Sequence, residues 1–93
     1  MEIPKQIKVG AYTYDIVFVD EFGEDNNPLD KQMTGLCNPL KYEISILNGL
    51  NEMQKNSTFV HEVIEAINEH MGVNMSHRQI VAIECGLMQV FFT

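Results

Sequence analysis

The sequence predicts a small α+β fold: an antiparallel sheet of three to four strands, followed by two packed helices. Three observations carry this. Apolar and polar residues alternate through the first half of the chain, apolar residues recur at helical spacing through the second half, and clusters of Gly, Asn, Asp and Pro separate the runs. Ninety-three residues leave room for one hydrophobic core, so residues 1–93 read as a single domain. Strands and loops occupy 1–47, a first helix 50–71 and a second helix 76–92.

Ile7 and Val9 alternate with polar neighbours, and alternation resumes from Tyr12 to Val19. Gly10-Ala11 between them marks the turn of a hairpin. Residues 20–30 (DEFGEDNNPLD) have loop composition. Residues 33–36 continue as a short strand before an Asn38-Pro39 turn, and residues 42–47 (YEISIL) alternate again. Asn48-Gly49 ends that strand. The helical pattern is weak over 50–56 and strong over 57–71, so Ser57 or Thr58 is a candidate cap and Asn51 an earlier one. Gly72 stands where a left-handed residue closes a helix. Ser76-x-x-Gln79 has the form of a capping box and opens the second helix.

Val60, Val63, Ile64, Ile67 and Met71 form the expected core stripe of the first helix; Ile80, Ile83, Leu87 and Phe91 form that of the second. Met53, Met71, Met75 and Met88 read as core gap-fillers. Tyr12 and Tyr14 share a strand face and read as packing. Phe91-Phe92 is expected to fold back on the sheet or, if exposed, to mark a partner contact. His70 reads as a solvated residue at the helix end, where the dipole favours it. Cys37 falls in an expected turn and Cys85 in an apolar helical pattern, both as thiols.

Composition narrows the function classes. An apolar share of 45% argues against a disordered chain, and no apolar run approaches the roughly 20 residues of a membrane span. The first residues lack the basic start and apolar stretch of a secretory signal, so a cytoplasmic protein is expected. A net charge of −7 disfavours direct nucleic-acid binding, which draws its affinity from neutralising phosphates.

The chemistry concentrates in His61-Glu62-Val63-Ile64-Glu65. At about 100° per residue, His61 and Glu65 lie one turn apart on the same flank, so both can reach one point. Zinc peptidases present two ligands from a helix at this spacing, with the intervening Glu as general base, the position of Glu62 here. The second ligand position holds Glu65, a carboxylate, where histidine is usual; carboxylate oxygen also ligates zinc. On the second helix His77 and Glu84 fall within or beside the apolar stripe. A carboxylate there needs a cation or a hydrogen-bonding partner. If the helices pack together, His61, Glu65, His77 and Glu84 converge as metal ligands beside Glu62.

The chain resembles short bacteriophage and prophage proteins related to the zincin-like peptidases, near the ImmA/IrrE and SprT-like groups. The residues that carry the resemblance are Ile7-Lys8-Val9-Gly10, Tyr12-Thr13-Tyr14, Val19-Asp20, Glu43-Ile44-Ser45-Ile46, the run 58–68 (TFVHEVIEAIN), then His77, Ile80, Glu84 and 86–90 (GLMQV). The resemblance implies a minimal gluzincin core that binds zinc and acts as a zinc-dependent peptidase in the cytoplasm of a host cell. His61 and Glu65 would be the first-helix ligands, Glu62 the base, Glu84 the third-ligand position and His77 its competitor or a fourth group. The interval from Glu65 to Glu84 is similar to that between the motif helix and the third ligand of thermolysin-like enzymes. The alternative expectation is a non-catalytic protein that binds and modulates a host protein on the same scaffold, through its acidic surface and Phe91-Phe92.

Overall fold

A computed structural model describes residues 2–22 and 33–92. Most of the loop expected over 20–30 lies outside them. Four strands are followed by two helices: β1 (Gln6–Val9), β2 (Tyr12–Val19), β3 (Gly35–Asn38), β4 (Glu43–Leu47), α1 (Glu52–Met71) and α2 (His77–Phe91). The α+β class, the four strands and the two helices are as the sequence predicts.

The sheet order is β1-β2-β4-β3. Gly10, at φ +61°, turns the chain between β1 and β2, which pair antiparallel with Ile7 opposite Tyr14. β3 and β4 form a second antiparallel pair. The two hairpins join through β2 and β4, which run parallel with Ile16 beside Ile44. The sheet is therefore mixed, not wholly antiparallel. Alternation reports which face a residue occupies and is the same for either strand direction, so it cannot reveal this pairing.

One face of the sheet packs on α1. Val9, Tyr14, Ile16, Ile44 and Ile46 join Phe59 and Ala66 in one buried cluster, with Val63 packed against it. Ile67 and Met71, expected in the core, are exposed. The reason is that α1 has two neighbours. The sheet lies on one side and α2 on another, and α2 packs on α1 and no strand among the described elements. The most apolar arc of α1, around Val60 and Ile64, points away from the sheet. The sheet-facing arc includes the polar Glu62 and His70, which shifts the apparent centre of the stripe.

Asn51 caps α1 and forms a capping box with Gln54, so the helix starts a turn and a half before Ser57. Gly72 closes it at φ +62°. Ser76 and Gln79 form the second box, as predicted. On α2 only Ile80 is buried; Ile83 and Phe91 are exposed, Leu87 is half-buried and Cys85 is exposed. Phe91-Phe92 does not reach the sheet. It lines an apolar groove of about 430 Å³ with Phe59, Val60 and Leu87. Met53 is likewise exposed rather than core, and Met75 and Met88 are half-buried.

Candidate functional site

α1 and α2 form a helical hairpin whose turn is tied by Asn68. Its side chain accepts from the Met75 N–H at 2.7 Å and donates to the Met75 carbonyl at 3.2 Å. The helices thereby hold His61 and Glu84 face to face, His61 Nδ1 donating to Glu84 Oε1 at 2.8 Å. The other carboxylate oxygen, Oε2, accepts from the Ser57 hydroxyl at 2.5 Å. Glu84 is thus satisfied by two α1 groups one turn apart, not by Arg78 or a lysine. His77, exposed in the first turn of α2, stands edge-on to His61 with ring centroids 5.4 Å apart.

These groups surround a cleft of about 290 Å³. Ser57, Thr58, His61 and Glu62 supply one wall, His77 and Glu84 another, and Met33, Thr34 and Gly35 at the start of β3 a third. At Gly35 strand and helix lie close together. A Cβ there would lie 2.4 Å from Thr58 Cγ2 and 3.1 Å from Glu62 Cγ. The absent side chain brings β3 down onto the motif, where Thr58 donates to Thr34 at 3.1 Å.

Glu62 is only 7% exposed. Burial raises its carboxyl to about 7; the nearby His61 opposes the rise, the charges of Glu65 and Glu84 add to it, and the neighbouring Cys37 backbone opposes it. A carboxyl balanced near neutrality exchanges protons readily, the property a general base needs.

Of the five residues singled out from sequence, the structure brings His61, Glu62, His77 and Glu84 to this cleft. Glu65 does not line it. It lies half-buried one turn further along α1, and it acts on Glu62 and Cys37 through its charge. Among the described residues, no three His, Cys, Asp or Glu side chains converge as a metal-ligand group. The two imidazoles nevertheless suit an ion: with nitrogen–zinc distances of about 2.0–2.1 Å, rings sharing one tetrahedral zinc stand about 5 Å apart at their centres.

A second polar cluster escaped the sequence reading. His70 is not solvated at the helix end but faces the sheet. It stacks on Tyr12 at 4.3 Å, shares a hydrogen bond with the Tyr14 hydroxyl through Nε2, and stands 6.0 Å from Tyr42. Tyr14 is fully buried, and burial raises its phenol to about 12. Cys37 lies in β3 rather than a turn; burial, then the charge of Glu62, raises its thiol to about 11. Tyr42 adopts φ +53°, a left-handed conformation costly for a bulky residue, and in it the ring reaches Tyr12 at 5.0 Å. Only the i to i+3 and i+4 neighbours of His70 are visible in a sequence, so nothing local signals this cluster.

Compared with family models, curated proteins and solved structures, the chain gives no match. No helix among the described residues is long and apolar enough to cross a membrane.

Proposed function

We propose that the cleft is the zinc site of a small zincin-like metalloprotein acting as a peptidase, of the phage-encoded kind that the sequence resembles. One observation carries the reading. His61 and His77 converge from two helices beside a buried Glu62 carboxyl balanced near neutral pH. The imidazoles of His61 and His77 hold the ion, with the Glu84 carboxylate beside them against His61. Zinc, when bound, supplies Lewis-acid polarisation of a carbonyl. Glu62 takes the proton from the attacking water. The negative field of Glu62, Glu65 and Glu84 draws a cation to this end of the hairpin.

The test is elemental analysis of untagged protein, followed by peptide hydrolysis. Stoichiometric zinc is expected, with kcat lowered roughly 10²–10⁴-fold in Glu62→Gln. Zinc without hydrolysis would leave only a structural metal; no zinc would refute the reading.

The exposed Val81, Ile83, Val90 and Phe91 favour a second reading, a non-catalytic protein that engages a host protein through α2. Phe91→Ser would then abolish capture of a stoichiometric partner, and Glu62→Gln would leave it intact. Either reading puts the protein in the host cytoplasm.

A further inference from the structure

Glu84 is the residue whose role the geometry defines most sharply, and its assignment rests on the metal-site reading above. Both its oxygens are engaged by α1: Oε1 by His61 Nδ1 at 2.8 Å, Oε2 by the Ser57 hydroxyl at 2.5 Å. Ser57 and His61 are one helical turn apart, so a single carboxylate reaching over from α2 clamps both. The side chains of His61 and Glu84 are 17% and 15% exposed, and the low local dielectric strengthens the pair.

An imidazole offers a lone pair from only one nitrogen at a time, and the hydrogen bond at the other nitrogen decides which. A carboxylate on Nδ1 fixes the proton there and leaves Nε2 bare. Histidines that bind metals are oriented by carboxylates in this manner. We propose that Glu84, held in place by Ser57, is a positioning residue that locks His61 in the Nδ1–H tautomer and presents Nε2 to the cleft, rather than a metal ligand itself. Glu84 lies on the Nδ1 side of the ring, so to bind an ion held at Nε2, on the opposite side, it would have to release Nδ1 and set the ring free. The imidazole ligands are then His61 through Nε2 and His77.

Ring-nitrogen NMR on the metal-free full chain at pH 8 tests the lock without any metal. His61 is expected with Nδ1 protonated and Nε2 bare. Ser57→Ala should shift the tautomer ratio several-fold toward Nε2–H, and Ser57→Thr should restore it, with backbone spectra confirming that each variant is folded. A wild-type His61 in the Nε2–H or doubly protonated form overturns the proposal, as does a ring that responds to neither Ser57→Ala nor Glu84→Gln. Metal titration supplies the second arm. Glu84→Gln is expected to weaken zinc roughly 10–100-fold while the cobalt absorption spectrum keeps its shape. A changed cobalt spectrum or complete loss of binding makes Glu84 a ligand and overturns the proposal. Wild-type protein that takes neither zinc nor cobalt sinks the metal reading alone; the tautomer still decides what Glu84 does to His61.

Discussion

Glu62 ties the site to the stability of the fold. Its carboxyl titrates near 4.5 when exposed and near 7 when buried in the cleft. The folded protein therefore holds the Glu62 proton more tightly than the unfolded chain. The stability this contributes is fully present below about pH 4.5 and is lost as pH rises through about 7. Gln at this position keeps the shape of the side chain and has no charge to bury. Glu62→Gln should thus gain on wild type by on the order of 2 kcal/mol between pH 5 and pH 8, measured by urea unfolding of the metal-free protein. A difference independent of pH would refute the burial argument. At this scale the motif was legible: residue types and an i, i+4 spacing were enough to single out His61 and Glu62, and the position of Glu84 on an apolar helix face announced that it needed a partner. The identity of that partner was not legible, because Ser57 signals nothing by itself. Glu65 does not line the cleft. Its flank follows from the helix angle, but the cleft is centred one turn nearer the N-terminus, where β3 approaches.

Between elements, the close approach of β3 to α1 decides the shape of the cleft. Gly35→Ala places a methyl 2.4 Å from Thr58 Cγ2, and helix and strand must separate to admit it. The expected cost is about 1–3 kcal/mol. Thr58→Ser removes the opposing methyl but keeps the hydroxyl that meets Thr34. It should recover most of that loss in the double variant, and a double-mutant cycle with no coupling would show that the contact is not the cause. Capping chemistry was readable at this scale because it is local: the Ser76–Gln79 box lies within four residues. The orientation of α1 was not, since its apolar arc is divided between two neighbours and its sheet-facing arc carries Glu62 and His70.

Across the molecule, the layers are unequal. The sheet and α1 share one core, whereas among the described elements α2 packs on α1 alone, and it buries a single residue of its own, Ile80, at 1% exposure. Its amides should exchange through a partial opening, at a lower free energy than those of β2, β4 and α1. Ile80→Ala should lower the α2 value further, by about 2–4 kcal/mol, and leave the strands little changed. Native-state hydrogen exchange reads this directly, and α2 exchanging together with β4 would contradict it. Fold class and element order were legible from periodicity, but strand direction and the dependence of α2 on α1 are set by contacts between distant residues.

The parallel seam between β2 and β4 also governs how the chain assembles. β1–β2 and β3–β4 are each local hairpins that can form early, yet they meet only when residues 15–19 align with residues 43–47. The strand that approaches the motif belongs to the second hairpin. α1 packs on β3 and β4 directly, so Glu62 is buried when that hairpin docks on the helix. Until then its proton affinity is that of an ordinary exposed carboxyl, so a refolding chain should take up protons near neutral pH in the step that brings β3 onto α1.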